Sequence, residues 1–312
     1  MTLSIVIVNY RTSHVLGNCL DSLAGLRSDS EIIVVDNASS DEGWPALKVK
    51  YPQVRFLESK DNRGYPAGAN TGIRVSSGRA VVLLNPDTQV SSGALETLSE
   101  RLMNVEKTGI AGPKVFYADG TLQSREVPKK IPALWDLFCD MFYLNRVFKS
   151  HPSINAYYGP ADFNYENEQF VGQVHGSCFM VKKEVFEKIG PLDEKFFLYI
   201  DEADFCLRAA RAGYCSLYVP SASVVHVGGE SARKCERRRV KYYYDSLLYF
   251  FRKHYGAGEA VLLYMIHGSG SLFRFLTIPL HVLKDRNFER AREHFWTLVY
   301  HVDLRNFIRM MS

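Results

Sequence analysis

The chain has 312 residues, 46% hydrophobic and 23% charged, a balance that excludes a disordered or collagen-like chain and fits one large or two modest globular domains. No window of about 18 residues lacks polar punctuation, so no transmembrane helix is expected; the nearest stretch, 260–283, is interrupted by His267, Gly268, Gly270, Arg274, Pro279 and His281. The net charge of +4 is unevenly placed: residues 231–312 hold 15 Lys+Arg against 7 Asp+Glu, a net of +8, and residues 1–230 hold 23 against 27, a net of −4. That asymmetry predicts an anionic partner at the C-terminal end. Membrane phospholipid or a phosphorylated lipid fits better than nucleic acid, because the basic residues are mixed with large apolar ones. The first residues enter a strand-like run with no charged n-region, so no signal peptide is expected. Cys19, Cys139, Cys178, Cys206, Cys215 and Cys235 make no CxxC pair and read as reduced, mostly buried thiols of a cytoplasmic protein.

In chain order, residues 3–8 predict a strand ending in Asn9-Tyr10-Arg11. Val15, Leu16, Cys19, Leu20 and Leu23 share a helical face, with Thr12 or Ser13 as N-cap. Residues 31–35 predict a second strand, closed by Asp36-Asn37; 54–57 a third; 64–75 a helix; and 80–84 a fourth strand, apolar throughout and therefore covered on both faces. Such a βαβαβ run implies an α/β, doubly wound, mostly parallel sheet. Pro86 cannot donate to a ladder, so pairing stops there and Asp87 projects from the strand end. Alone, Asn85-Pro86-Asp87 reads either as a turn or as a carboxylate that holds a divalent cation, which in turn holds a phosphate. Three polar strand ends on one edge of a parallel sheet make a site, because open α/β sheets bind ligands there. A diphosphate-containing nucleotide is the natural ligand, with Asp36 on the base or ribose.

Gly64, Gly68 and Gly72 recur every four residues, which allows close approach of sheet or ligand; Asn62 and Arg63, just before them, are better ligand candidates. Ser91 or Ser92 then caps a helix with Leu95, Leu98, Leu102 and Val105 on one face, ended by Gly109. Residues 131–148 are aromatic-rich and read as core or as an apolar lip for a greasy substrate; 155–169 read as a long loop. Residues 171–181 return to the sheet, and 183–189 form a short helix closed by Gly190-Pro191. Asp201, Glu202 and Asp204 open a further helix, where they either cap it or supply a general base kept ionised by the helix start. His226 ends a strand beside a Gly-Gly turn and is either structural or a nitrogen ligand beside Asp87. In the last segment Val240, Tyr244, Leu247, Leu248 and Phe251 form an apolar face. Arg233, Lys234, Arg237, Arg238, Arg239 and Lys241 crowd the helix start, where cations oppose the dipole; they are a solvated basic face or wait for an external anion. A final amphipathic helix carries Phe288, Ala291, Phe295, Leu298 and Val302 on one side.

The stretches 4–11 (SIVIVNYR), 33–40 (IVVDNASS), 62–70 (NRGYPAGAN), 83–88 (LLNPDT), 176–181 (GSCFMV), 196–208 (FFLYIDEADFCLR) and 226–231 together resemble family 2 glycosyltransferases of the GT-A fold, in their bacterial rhamnosyltransferase-like branch. The resemblance spans 1–230 in the right order. It implies a GT-A domain over 1–230, with nucleotide-sugar binding in 1–110 and acceptor binding and the base in 111–230, followed by a basic amphipathic helical extension. It also implies inverting transfer from a nucleotide-diphosphate sugar, with dTDP-L-rhamnose expected as donor and a polyprenyl-diphosphate-linked saccharide as acceptor, in surface polysaccharide synthesis. A UDP-hexose or galactofuranosyl transferase of the same fold, or a non-catalytic nucleotide-sugar-binding subunit, are the alternatives. By the resemblance, Asn9, Tyr10, Arg11, Asp36 and Asn37 hold the nucleoside, and Asn62, Arg63, Gly64 and Asn70 line that pocket. Asn85 and Asp87 stand at the family's DxD-type motif, and Asp87 and His226 hold Mg²⁺ or Mn²⁺. Glu202 aligns with the base, with Asp201 the other choice. The protein is expected to sit peripherally on the inner face of the cell membrane, with homodimerisation open and no nucleic-acid partner.

Overall fold

The computed structural model describes residues 2–26, 28–124, 130–148, 154, 163–228, 236–285, 288–303, 305, 306 and 308; of 146, 236, 278–285, 288–291 and 293 only the backbone is described. The chain divides into two compact units: 1–131, 162–197 and 201–231 in the first, 132–161, 198–200 and 232–312 in the second. The aromatic-rich stretch after residue 131 therefore joins the C-terminal helices rather than the sheet domain expected to span 1–230.

The first unit is built on β1 (Leu3–Asn9), β2 (Ser30–Asp36), β3 (Arg55–Glu58), β4 (Ala80–Leu84), β5 (Thr88–Val90), β6 (Thr108–Phe116), β7 (Gln169–Val171), β8 (Cys178–Lys182) and β9 (Cys215–His226). Their order is β3-β2-β1-β4-β8-β6-β9-β5, with β7 also on β9. The first four strands are parallel; β8 runs antiparallel between β4 and β6, and β6 pairs β9 in parallel. The central strands are apolar without alternation because both faces are covered. Ile5, Ile7, Val34, Val82 and Leu84 pack on one side with α1 (Ser13–Ser22), α2 (Trp44–Lys50) and α4 (Ala94–Asn104). Val6, Val8, Ile33, Val81 and Leu83 pack on the other with α3 (Tyr65–Val75), α7 (Lys183–Ile189) and α8 (Asp201–Arg211). Every residue of β4 is fully buried, and each of its large side chains contributes on the order of 1.5–3 kcal/mol.

The turn chemistry departs from the sequence reading in two places. Thr12 occupies the N-cap of α1, but its hydroxyl donates to the Asn9 Oδ1 at 2.7 Å instead of capping. The N-cap of α4 is Gly93 with φ +74°, not Ser91 or Ser92, and α4 ends at Asn104 while Gly109 lies inside β6. The four-residue glycine spacing in α3 is packing: a Cβ on Gly68 or Gly72 would meet Val8 Cγ1 at 2.7 Å or Val6 Cγ1 at 2.4 Å.

The second unit is helical: α5 (Leu134–Met141), α6 (Leu144–Val147), α9 (Glu236–Tyr255), α10 (Ala257–Asp285) and α11 (Phe288–Val302). The expected apolar face of α9 is its buried face, with Val240, Tyr244, Leu247, Leu248 and Phe251 all inside. The interrupted stretch 260–283 is one continuous helix, and no helix among the described residues is long and apolar enough to cross a membrane. On α11 the buried side is Thr297, Tyr300 and His301, whereas Phe295 and Val302 from the apolar stripe are exposed. The loop 155–162 and the basic residues Arg233 and Lys234 lie outside the described residues.

Candidate active site

The parallel registers bring the expected strand ends together. Asn9 is paired with Asp36 across β1 and β2, and Ile7 with Leu84 across β1 and β4. Asn9 is fully buried; its amide donates to Asp36 Oδ1 at 2.8 Å and to Ser39 Oγ at 3.1 Å. The Ser39 backbone N–H reaches Asp36 Oδ2 at 3.0 Å, and its hydroxyl donates to Asp36 Oδ1. Asp36 is thus held rigidly by Asn9 and Ser39, and Asn9 acts as a brace rather than a surface that meets a ligand. Tyr10 is half-buried and Arg11, at φ +58°, is exposed with its guanidinium 5.4 Å from the Tyr10 ring centroid.

Asn37 ties the next segment to the same edge. Its amide donates to Asn62 Oδ1 at 3.0 Å and to the Gly64 carbonyl at 2.9 Å, while the Gly64 N–H donates to Asn62 Oδ1 at 3.0 Å. Gly64 has φ +93°, and a Cβ there would lie 2.4 Å from the Phe197 carbonyl oxygen, so both backbone conformation and close approach require glycine. Asn37, Ser59, Asp61, Arg63 and Thr71 line an open depression at this end. Asn70 does not reach it. Its amide donates to the Leu192 carbonyl at 2.9 Å and its Oδ1 accepts from the Leu192 N–H at 3.1 Å, which makes it a link between α3 and the turn before α8. Arg63 pairs with Glu194 at 2.6 Å on the surface, an exposed contact worth about 0–1 kcal/mol.

The turn at Asn85-Pro86-Asp87 lies where β4 gives way to β5. Because β5 pairs antiparallel with β9, Thr88 faces His226, and His226 Nε2 stands 3.4 Å from Asp87 Oδ1. Both side chains are more than nine-tenths buried. The Gln123 amide donates to the His226 carbonyl at 2.6 Å, and its Oε1 is 3.3 Å from His226 Nδ1, which orients the ring. On the other side, β8 brings His175 and Ser177 alongside: the Asn85 N–H donates to the Ser177 carbonyl at 2.8 Å, and the His175 ring meets the His226 ring edge-to-face at 5.3 Å.

The acid cluster separates into three fates. Asp204 is fully buried and pairs with Arg208 at 2.8 Å, so it is structural. Asp201 is buried, and burial together with the neighbouring Glu202 charge pushes its carboxyl well above the usual carboxylate range. Desolvation opposes the effect that the sequence reading assigned to the helix start. Glu202 remains half-exposed with its carboxylate beside Gly176, whose Cβ position is 3.5 Å from Glu202 Cδ. Tyr65 adds a buried hydroxyl without a hydrogen-bond partner, its pKa pushed well up by burial and then by Asp201 and Glu202. Two successive left-handed residues, Tyr199 at φ +68° and Ile200 at φ +65°, lead into the pair, a strained geometry for a β-branched side chain.

The sequence model described as Glycosyl transferase family 2 matches residues 4–190. The chain belongs to glycosyltransferase family 2. Among relatives of this glycosyltransferase is the N-acetylglucosaminyl-diphospho-decaprenol L-rhamnosyltransferase of Mycobacterium tuberculosis, 27% identical over 95% of this chain and 97% of that one. The dTDP-rhamnosyl transferase RfbF of Shigella flexneri is 37% identical over 65% of this chain and 62% of its own length. In fold, the glycosyltransferase is similar to the mannosyltransferase PcManGT from Pyrobaculum calidifontis, solved with GDP-Man and Mn²⁺, at a TM-score of 0.56 and 14% identity over 98% and 86% of the two chains. Its fold is GT-A.

Among the described residues, no three His, Cys, Asp or Glu side chains gather into a metal cage. The pair Asp87–His226 nevertheless fits a cation that takes the rest of its shell from a diphosphate, as Mg²⁺ does with one or two protein ligands. Sequence reasoning missed Gln123 and His175: neither stands at a polar strand end or in an acidic cluster, and only the fold brings each to His226.

Proposed function

We propose that the glycosyltransferase moves L-rhamnose from dTDP-L-rhamnose, with inversion, to a polyprenyl-diphosphate-linked saccharide at the membrane surface. The observation that carries this reading is the placement of Asp36, the Asp87–His226 pair and Glu202 around one sheet edge, and the names of the relatives from Mycobacterium tuberculosis and Shigella flexneri support the sugar and acceptor. Asp36 and Asn37, with Tyr10, Arg11, Asn62 and Arg63 beside them, take the nucleoside. Asp87 and His226 would hold a divalent cation against the donor's diphosphate, where it would supply Lewis-acid neutralisation of the leaving group. Glu202 accepts the acceptor hydroxyl's proton as that oxygen attacks the anomeric carbon from the face opposite the diphosphate. The C–O bond to the β-phosphate breaks, its electron pair leaves with the nucleoside diphosphate, and no enzyme nucleophile is needed.

The second unit supports a lipid surface as partner. Leu262, Met265, Leu272 and Leu276 form a stripe on α10, at spacings of three, seven and four residues, each at least 43% exposed. Arg274, the one charge on α10 between Glu259 and Leu276, is turned inward to the carbonyls of Asp140 and Met141. Exposed Arg237 and Arg238 on α9 and Arg292 on α11 add positive charge to the same unit, although Arg237 also stacks on Trp296 and Lys241 pairs with Asp245. An uncharged apolar stripe with basic neighbours is the chemistry of an interfacial helix on anionic lipid. The test is a screen of dTDP-, UDP- and GDP-sugars with Mg²⁺ or Mn²⁺, read by nucleoside diphosphate release with and without a diphospholipid-linked GlcNAc acceptor. Release from dTDP-L-rhamnose that depends on the acceptor is expected; release from UDP-sugars alone overturns the donor, and no release from any sugar overturns catalysis.

A further inference from the structure

The turn that carries Asp87 is fastened to two strands. Towards β8, the Ser177 carbonyl accepts from the Asn85 N–H at 2.8 Å and from the Thr88 hydroxyl at 3.3 Å. Towards β9, the Val227 N–H donates to the Asp87 carbonyl at 3.1 Å, and the Ser91 N–H to the Ser223 carbonyl at 3.2 Å. β5 itself has three residues and stands at the end of the strand order, so its ladder to β9 has few bonds with which to fix the turn.

The outer edge of β5 is held by α1. Alternate N–H groups of an antiparallel strand point away from its partner. In β5 these belong to Thr88 and Val90: the first donates to the Asn85 carbonyl at 3.1 Å and the second to Ser22 Oγ at 3.0 Å. The Ser22 hydroxyl proton goes to the Cys19 carbonyl at 2.6 Å, which leaves an oxygen lone pair for Val90. The fully buried Cys19 thiol, three residues earlier, adds a weak bond to the Asn85 carbonyl at 3.7 Å. α1 thus holds both ends of the segment 85–90, with Asp87 between them. The start of α1 belongs to the nucleoside edge: the Ser13 N–H donates to Asp41 Oδ2 at 2.9 Å, and the Thr12 hydroxyl to Asn9, the brace of Asp36. A helix of 10 residues, about 15 Å long, therefore runs from the Asp36 end of the site to the turn of Asp87.

We propose that Ser22 is a positioning residue: through Val90 it sets where Asp87 stands against His226, and so spaces the diphosphate end of the donor site from the nucleoside end. The inference rests on the reading that Asp87 and His226 receive a cation and the donor's diphosphate. Ser22 touches neither; it acts only through the turn.

Ser22→Ala removes the acceptor of the Val90 N–H, and Ser22→Thr keeps it. The assay is calorimetry of dTDP or UDP, whichever the unmodified chain binds, and of the matching monophosphate, in Mn²⁺ and in EDTA. Ser22→Ala is expected to bind the diphosphate in Mn²⁺ about five- to tenfold more weakly, the loss of one hydrogen bond, with monophosphate affinity held within about twofold and Ser22→Thr restoring the diphosphate. A bond that only supports the fold would leave the diphosphate unchanged or weaken both nucleotides alike, and either result overturns the proposal. In the unmodified chain, amide hydrogen exchange at Val90 should slow on adding Mn²⁺ with diphosphate but not with monophosphate, and an unmoved rate overturns it without any variant. An unmodified chain that binds the diphosphate equally in Mn²⁺ and in EDTA removes the underlying reading as well, and that titration tells the two failures apart.

Discussion

Exchanging the two acids that open α8 tests the division of labour between them. Asp201 is 4% exposed, and burial, with the Glu202 charge beside it, pushes its carboxyl well above the usual carboxylate range, so Asp201→Asn removes a poorly ionised group and keeps nearly the same shape. It should change kcat by less than about tenfold. Glu202 is the half-exposed acid whose carboxylate lies beside Gly176, facing the segment that carries His175. Glu202→Gln removes the proton acceptor while keeping size and hydrogen bonding, and loss of a general base costs about 10²–10⁴-fold, or roughly 3–5 kcal/mol in the barrier. Donor affinity should stay within about threefold, because the base touches the acceptor's proton and not the nucleotide. The assay is steady-state turnover with a lipid-linked acceptor, paired with calorimetry of the nucleoside diphosphate. A silent Glu202→Gln beside an inactive Asp201→Asn would refute both the assignment of the base and the argument that burial disfavours the charged form of Asp201.

Four further outcomes follow from the geometry. Asp87→Ala should lose about tenfold or more in diphosphate affinity in Mn²⁺ but little in EDTA, by calorimetry, since one of the two protein ligands is gone. His267 and His301 are buried in the helical unit; three of their four ring nitrogens lack hydrogen-bond partners, and burial holds both rings below the ordinary histidine range, His301 at about 4. The unfolded chain protonates first, so stability is full above about pH 6.5 and falls as pH drops toward 4, by about 3 kcal/mol from His301 alone; urea titrations across that window should show the slope, and His301→Phe should flatten it. Gly64→Ala should cost about 2 kcal/mol or more in urea unfolding, from the positive φ and the Phe197 carbonyl together. Leu272→Asp with Leu276→Asp should reduce flotation with anionic vesicles more than neutralising Arg237 and Arg238 does, and equal flotation would remove α10 as the contact.

Local patterning carried the strands and helices of the sheet unit. Five apolar residues at 80–84, stopped by Pro86, specify a central strand and its end because a buried strand needs two apolar faces and a ladder needs N–H donors. The apolar face of α9 was legible for the same reason: period alone selects the residues that pack. The polar strand ends Asp36 and Asp87 followed, since parallel pairing puts them on one edge without any knowledge of side chains. Other features depend on residues distant in sequence. Asn9 and Asn70 look like ligands in the chain and are braces in the fold, because their partners Asp36 and Leu192 arrive from elsewhere. His175 and Gln123 have no local signature: the parallel pairing of β6 with β9 brings the turn after β6, with Gln123, to His226, and His175 meets the same ring from the segment that leads into β8. The acids at 201 and 202 are neighbours in every local sense, yet one is buried and the other is partly exposed. The cost of a buried charge at Asp201 follows solvent access, and solvent access is a property of the packed molecule rather than of any stretch of its chain.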